Sequence, residues 1–224
     1  MRQFAISDIH GHLATFKALL TRLEFSKEDE LFLLGDFIDR GPDSKGVIDH
    51  VKGLMAEGYK VHSLRGNHEQ MAIDAPTDFS TRTAWLRYGG IQTCTSFGTR
   101  DFTVPDDYLN WMSALPFYLE TEGYLFIHAG IDTFKSNPLD DWESMLWARH
   151  WTKKINRKWL GDRIIVHGHT PTPYQEIQQS IHALKHLPVL NIDAGCFAVE
   201  TSGMGFLCAL ELGSNALTFQ ENVG

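Results

Sequence analysis

The stretch Gly35-Asp36-Phe37-Ile38-Asp39-Arg40-Gly41 directly follows the apolar run Leu31-Phe32-Leu33-Leu34. Four apolar residues leading into Gly-Asp are typical of a buried strand that stops abruptly. Such a strand presents the carboxylate of Asp36 at its tip, and the carboxylate of Asp39 and the guanidinium of Arg40 follow in the same loop. So close a grouping of charges predicts a metal ion and a phosphate that hold it together.

Four further apolar segments end in loops that carry a potential ligand. Residues 4–6 precede Asp8 and His10, residues 59–64 precede Asn67, residues 124–127 precede His128, and residues 163–166 precede His169. In an α/β fold, side chains at the carboxyl ends of neighbouring strands converge on one crevice. We therefore expect one site built from Asp8, His10, Asp36, Asn67, His128 and His169.

Oxygen and nitrogen ligands without sulfur favour divalent cations of borderline hardness. The set predicts two such ions, with manganese foremost and iron or zinc as alternatives. Asp36 is the natural bridging carboxylate between them. A cation pair of this kind supplies a hydroxide nucleophile and polarises a phosphoryl oxygen.

The leaving alkoxide then needs a proton, and His68 lies next to the ligand Asn67. We predict that His68 is the general acid and that Asp39 holds its imidazole in the charged form. Arg40 and Arg149 would bind the non-bridging oxygens of the phosphate. Residues 142–151 look helical, so Arg149 could instead be a cation at a helix C-terminus that interacts with the macrodipole.

Five ordered blocks of sequence resemble the signature of the PPP-type metallophosphoesterases. They are Ser7-Asp8-Ile9-His10-Gly11, Gly35 to Gly41, Arg65-Gly66-Asn67-His68-Glu69, His128-Ala129-Gly130 and Gly168-His169-Thr170. Arg65-Gly66-Asn67-His68-Glu69-Gln70-Met71 is most similar to the small bacterial and phage (lambda-type) serine/threonine protein phosphatases. The resemblance implies an α/β fold, namely a sandwich of two mixed β-sheets flanked by helices.

The same resemblance implies how the ligands divide between the two cations. Asp8, His10 and Asp36 would hold the first metal, and Asp36, Asn67, His128 and His169 the second. His68 would be the acid supported by Asp39, and Arg40 with Arg149 would bind phosphate. The implied activity is a phosphomonoesterase that acts on a phosphoprotein or phosphopeptide at serine or threonine, with dual specificity open.

Two positions depart from the family pattern. Ser7 stands where the family usually has glycine, and residues 193–196 lack the Asn-Tyr-Cys context that carries a substrate-groove tyrosine in eukaryotic members. A symmetrical diadenosine tetraphosphate hydrolase is the alternative, although those enzymes tend to read Gly-Asn-His-Asp and Gly-His-Trp where this chain has Glu69 and Thr170. A third hypothesis is a catalytically silent scaffold, against which the full ligand set argues.

Composition narrows the class of protein. The 224 residues carry 20 basic and 28 acidic side chains, a net charge of -8, which disfavours a general binder of nucleic acid or anionic membrane. With no apolar run near 18 residues, we expect a cytoplasmic protein. We predict a single domain over residues 1–224 with a helical insertion or lid at about 76–118. Its oligomeric state stays open, and three buried cysteines without a disulfide are expected at Cys94, Cys196 and Cys208.

Overall fold

The computed structural model describes residues 1–99 and 101–224; Arg100, within the predicted insertion, lies outside the described residues. Strands and helices alternate along most of the chain. In order they are β1 (Gln3–Ile6), α1 (Leu13–Arg22), β2 (Glu30–Leu33), α2 (Ser44–Ala56), β3 (Lys60–Ser63), α3 (Asn67–Asp74), α4 (Phe79–Trp85), α5 (Ile91–Phe97), α6 (Asp106–Ser113), β4 (Tyr118–Thr121), β5 (Tyr124–Ile127), α7 (Trp142–Trp147), α8 (Arg157–Leu160), β6 (Ile164–His167), α9 (Tyr174–Ser180), β7 (Val189–Asn191), β8 (Phe206–Glu211) and β9 (Ala216–Glu221).

The strands form two mixed sheets. The first has the order β3-β2-β1-β8-β9, in which β1, β2 and β3 are parallel and β8 and β9 are antiparallel to their neighbours. The second has the order β4-β5-β6-β7, in which β4 is antiparallel and β5, β6 and β7 are parallel. Two mixed sheets flanked by helices are the fold that the family resemblance implied, and the structure confirms it.

Successive side chains of each strand point to opposite faces of its sheet, and both faces are apolar. The two sheets pack together through one of these faces. Phe32 of β2 and Phe126 of β5 stack across the interface with ring centroids 4.6 Å apart. Leu31 and Leu33 point away from that interface and pack with helices α1 and α2. On the far side of the second sheet, Ile127 packs against α7 and α8. Strands buried on both faces read as unbroken apolar runs, which explains their clarity in the sequence.

Some boundaries differ from the sequence-based expectation. Helix α7 ends at Trp147, because Ala148 takes an extended conformation with ψ 133°. Arg149 therefore lies two residues past the end of the helix, so the prediction that residues 142–151 are helical throughout was wrong. Strand β4, whose residues Tyr118–Thr121 are at most partly buried, had no recognised signal.

The described part of the region 76–118 contains helices α4, α5 and α6, joined by turns and loops. Helix α4 runs through the turn Leu86–Gly90 into α5, and α6 ends shortly before Pro116. The predicted cysteines Cys94, Cys196 and Cys208 are buried. Within residues 1–99 and 101–224, no helix has both the length and the apolar character needed to cross a bilayer.

Candidate metal centre

The carboxyl ends of β1, β2, β3, β5 and β6 bring the predicted ligands together, as the parallel pairings require. The clearest link joins the first loop to the last, 161 residues further along the chain. The backbone N–H of His169 donates to the carboxylate of Asp8 at 3.0 Å. Gly168 permits this approach, because a Cβ there would lie 2.0 Å from the Asp8 Oδ2 atom. Asp8 and His169 therefore lie on the same face of the molecule.

Strained backbone concentrates at this site. Non-glycine residues with positive φ include six of the predicted site residues: Asp8, His10, Asp36, Asp39, Arg40 and His169. Their φ values lie between 47° and 73°. Each such conformation costs on the order of 1 to 3 kcal/mol and persists only where the surroundings enforce it. The loops are therefore shaped to aim these side chains rather than to minimise their own energy.

Two histidines are fixed in one orientation by backbone carbonyls. The Nδ1 atom of His10 lies 2.8 Å from the carbonyl oxygen of Ile38, and that of His128 lies 2.8 Å from the carbonyl oxygen of Leu34. A carbonyl oxygen only accepts, so each Nδ1 carries the proton. In the neutral ring, each Nε2 then offers a lone pair to the site, which is the arrangement typical of metal-ligating histidines.

The Nε2 lone pair of His128 faces oxygen acceptors on Asn67 and Asp36, and the Nδ1 atom of His169 borders the same Asn67 oxygen. The Oδ1 atom of Asn67 lies 2.9 Å from the Nε2 atom of His128 and 2.8 Å from the Nδ1 atom of His169. The Oδ1 atom of Asp36 lies 3.5 Å from the same His128 nitrogen. Among the described residues, the buried Nε2 atom of His169 has no hydrogen-bond partner. A cation at this position would satisfy lone pairs that otherwise oppose one another.

A second group of possible ligands shares Asp36. The Nε2 atom of His10 lies 3.5 Å from the Oδ2 atom of Asp36 and 3.9 Å from the Oδ1 atom of Asp8. The Nε2 atom of His68 also approaches Asp36, at 3.9 Å. By distance alone, His68 could serve as a ligand here in place of Asp8. In both groups Asp36 is the common member.

Burial shifts the pKa values of the carboxyl group and of the imidazoles towards their neutral forms. It raises the pKa of Asp36 well above its ordinary value, with the Asp8 carboxylate adding to the rise and His68 opposing it. Burial, and after it the charge of Arg40, lowers the pKa of His10 far below its ordinary value. Burial lowers that of His169 to about 2. Neutral imidazoles beside crowded carboxylates form a donor set that divalent cations satisfy.

The donor set therefore fits two divalent cations that share Asp36. Asp8, His10 and Asp36 would hold one, and Asp36, Asn67, His128 and His169 the other. When bound, such a pair supplies a nucleophilic hydroxide and stabilises charge on phosphoryl oxygens.

His68 is paired with Asp39 beside this group. The Nδ1 atom of His68 lies 2.5 Å from the Oδ2 atom of Asp39, and both side chains are buried. Because the carboxylate accepts from Nδ1, the Nε2 atom faces the site. The guanidinium of Arg40 lies 3.0 Å from that Nε2 atom and 2.7 Å from the Nε2 atom of His10. A guanidinium only donates, so both Nε2 atoms accept from Arg40 in this conformation. The contact with Asp39 orients the His68 ring so that its Nε2 atom faces the site.

A cavity of about 300 Å³ opens next to His68. Its lining brings both predicted phosphate-binding arginines to one space: Arg40, Asn67, His68, Met71, Tyr88, Trp147, Arg149 and His169. Arg40 also lies over the ring of Phe197, with its guanidinium carbon 4.0 Å from the ring centroid. The arrangement can hold a phosphate group between the metal ligands and solvent.

Glu69 has a structural role that the sequence interpretation missed. Its buried carboxylate accepts hydrogen bonds from the backbone N–H groups of Gly66, Asp36 and Phe37 at 2.8 to 2.9 Å. It thereby ties the Asp36 loop to the Asn67 loop. Glu69 stands three residues after Gly66, the residue that precedes α3, and this is the spacing of the glutamate in a capping box. That spacing could have identified it.

Two further buried groups border the centre. His167 ends β6, and its Nδ1 atom lies 3.0 Å from the carbonyl oxygen of Gly168. Burial lowers its pKa to about 4. The carboxylate of Asp193 accepts the N–H of Gly195 at 2.9 Å, and burial together with Asp8 raises its pKa.

A mixed two-sheet sandwich with histidine and carboxylate ligands at its strand ends defines a class of metal-dependent hydrolases. Residues 1–198 match the model of the calcineurin-like phosphoesterases, so the chain belongs to that metallophosphoesterase family. The family uses divalent metals for hydrolysis.

Similar proteins include enzymes with two different printed activities. Serine/threonine-protein phosphatase 1 of Salmonella typhimurium is 40% identical over 88 residues, which are 39% of this chain and 38% of that protein. The symmetrical bis(5'-nucleosyl)-tetraphosphatase of Pectobacterium atrosepticum is 31% identical over 134 residues, 58% of this chain and 44% of that protein. A crystal structure assigned provisionally as a diadenosine tetraphosphatase superposes with a TM-score of 0.66 at 20% identity, covering 100% and 95% of the two chains.

The matched regions span less than half the length of these two curated relatives. The structural likeness, at 20% identity, establishes the fold.

Proposed function

We propose that this chain is a two-metal phosphomonoesterase that acts on phosphoserine and phosphothreonine, and that manganese is its preferred metal. The observation that supports it most is the convergence of six ligands from five strand ends beside the His68–Asp39 pair. A phosphoester hydrolase needs a nucleophile, a clamp for the phosphate and an acid for the leaving group. The chain has residues suited to each of these needs.

Four side chains would bind the phosphate and protonate the leaving group. Arg40 and Arg149 bind non-bridging phosphate oxygens, for which planar guanidinium groups have the right donor geometry. As the bond between phosphorus and the leaving oxygen breaks, its electron pair passes to that oxygen. His68 donates the proton on its Nε2 atom to the same oxygen, and Asp39 stabilises the charged imidazolium beforehand.

The open rim of the cavity supports a large substrate. Tyr88 and Trp147 are 61% and 41% exposed, and Arg149 is exposed too. A phosphorylated side chain that projects from a polypeptide can enter such a cavity from solvent. The similarity to serine/threonine-protein phosphatase 1, which includes 39% of this chain, also favours a phosphoprotein substrate.

Symmetrical diadenosine tetraphosphate hydrolysis is the second candidate. It is favoured by the similarity to the Pectobacterium tetraphosphatase, which includes 58% of this chain. Exposed aromatic side chains beside two arginines would also suit a base attached to a polyphosphate. The two candidates share the metal centre and differ in what Tyr88, Trp147 and Arg149 recognise.

The deciding experiment compares the two substrates with one preparation. Metal-stripped protein reconstituted with Mn²⁺ is assayed with a phosphoserine peptide and with diadenosine tetraphosphate. We expect the kcat/KM for phosphate release from the peptide to exceed the kcat/KM for hydrolysis of the dinucleotide. Faster release of ADP from the dinucleotide would overturn the phosphoprotein assignment. If the protein hydrolysed none of the peptide, the dinucleotide and 4-nitrophenyl phosphate, the catalytically silent scaffold would be favoured instead.

A further inference from the structure

The carboxylate of Asp39 is held by residues from the 76–118 region. The indole Nε1 atom of Trp85 donates to it at 2.9 Å, and the hydroxyl of Thr93 donates at 2.6 Å. The same carboxylate also lies 2.5 Å from the Nδ1 atom of His68. Trp85 ends α4 and Thr93 lies in α5. The partner of the proposed general acid is therefore oriented from outside the strand-end loops.

Asp39 depends on these donors because it has no access to water. The exposed fractions of Asp39, Trp85 and Thr93 are 0%, 1% and 0%. A buried carboxylate that loses a hydrogen-bond donor is left with an unpaired acceptor, at a cost of about 1 to 3 kcal/mol or more. The hydroxyl of Thr93 also accepts from the Asp39 backbone N–H at 2.9 Å, so it fixes main chain and side chain together.

Gly89 brings this region into direct contact with the loop that carries Asp39, and Gly90 makes room for the ring of Trp85. A Cβ atom on Gly89 would lie 2.5 Å from the backbone nitrogen of Arg40. A Cβ atom on Gly90 would lie 2.6 Å from the ring of Trp85. Gly89 has φ 119°, a conformation that glycine adopts readily. The turn Leu86–Gly90 therefore packs against the Asp39–Arg40 backbone without an intervening side chain.

We propose that Trp85 and Thr93 are positioning residues that hold Asp39, and through it His68, in the geometry for proton donation. The inference rests on the proposed phosphoester hydrolysis. Among the described residues, the lining of the substrate cavity includes neither Trp85 nor Thr93. They act on the reaction through Asp39, so the 76–118 region is part of the apparatus that aims the acid.

The test uses Trp85→Phe and Thr93→Val, which keep an aromatic ring and a branched side chain while removing each donor. With Mn²⁺ bound, we expect each to lower kcat on a phosphoserine peptide by about 10- to 100-fold, the usual effect of losing a residue that orients another. On 4-nitrophenyl phosphate we expect kcat to change by less than about twofold, because nitrophenolate leaves without a proton. An equal fall on both substrates, or no fall, would overturn the proposal.

A double-variant cycle tests whether the effect passes through His68. Trp85→Phe in a His68→Asn background should cause no further loss, since the acid is already absent. A full additional loss would show that Trp85 acts elsewhere. Thr95→Val is the matched control, because the exposed Thr95 hydroxyl donates to the carbonyl of Ile91 in the same helix. It should leave both rates unchanged.

A spectroscopic arm separates this inference from the proposed activity. In protein loaded with Zn²⁺, the His68 ring proton on Nδ1 should give a low-field NMR signal that moves upfield and exchanges faster in Trp85→Phe. The signal should be unchanged in Thr95→Val. An unchanged signal in Trp85→Phe refutes the positioning role, even if the wild-type protein hydrolyses none of the substrates.

Discussion

Acidic and basic residues lie near both ends of the parallel strands in the first sheet, but their partners and pKa values differ between the two ends. Near the amino ends, Arg2 donates to Asp29 at 2.7 Å, and Glu30, the first residue of β2, lies 2.8 Å from the ring of His62. At the carboxyl ends, Asp36 is buried close to Asp8 and His10, on backbone with positive φ. The pKa values of Asp29 and Glu30 lie below their ordinary values, whereas burial raises the pKa of Asp36.

We infer from this contrast that charged residues at the amino ends contribute to stability and that those at the carboxyl ends contribute to catalysis. Ion pairs near solvent add little individually, but they cost little to keep. A buried cluster of carboxylates and neutral imidazoles persists only if the fold enforces it, which is typical of functional sites. Substitutions at the carboxyl ends should therefore change activity most, and those at the amino ends should change only stability.

The largest effect is expected from Asp36→Asn. A neutral amide bridges two cations poorly, so both should bind more weakly. We expect kcat to fall by about 10⁴-fold, the upper range for loss of a reacting group. The metal-free variant should be at least as stable as the wild type, because a buried charge is removed. Metal analysis that showed two full equivalents would contradict the bridging role.

His68→Asn comes next. It should keep both metals and slow the release of poor leaving groups by about 10² to 10⁴-fold, as expected for loss of a general acid. Rates and metal content are measured on the same preparation. A collapse of metal content would make His68 a ligand, as its 3.9 Å distance to Asp36 permits. His62→Asn, which alters the contact with Glu30 at the other end of the sheet, should leave the rate unchanged.

Glu69→Gln should act mainly on stability. The new amide group faces backbone N–H donors, so part of the hydrogen bonding to the Asp36 loop is lost. The cost should be about 2 kcal/mol, which lowers Tm by about 4 to 8 °C for a chain of this size. Thermal unfolding measures it. The matched Glu30→Gln change, on a partly buried side chain, should shift Tm less; an equal shift would remove the contrast.

The smallest effect is a pH dependence at Asp29. Its hydrogen bonds with Arg2 lower its pKa to about 2, below the unfolded value of about 3.9. A depressed acid pKa stabilises the fold above pH about 4, and this contribution is lost as the pH falls towards about 2. The Tm difference between wild type and Asp29→Asn should therefore shrink between pH 6 and pH 3. A difference that grew on acidification would contradict the assignment, and kcat at neutral pH should not change.

The ligand set could be predicted from sequence because each member follows a strand in a short loop. Apolar runs predicted the positions of β1, β2, β5 and β6. Because parallel strands run in the same direction, their carboxyl ends lie at the same edge of the sheet. The pairing of Asp8 with His169 across 161 residues followed from that rule alone.

The supports for Asp39 could not be predicted in the same way. Trp85 and Thr93 are 46 and 54 residues away from it, in helices without a ligand motif. Their contact depends on how the 76–118 region packs, which no local pattern encodes. The end of α7 before Arg149 was also missed, because its apolar pattern continues past the point where Ala148 becomes extended.

An anomalous-scattering map from crystals grown with Mn²⁺ tests the central claim most directly. The account predicts two peaks on either side of the Asp36 carboxylate, one beside His10 and one beside His128. One peak, no peak, or peaks away from Asp36 would contradict a two-metal centre built from these strand ends.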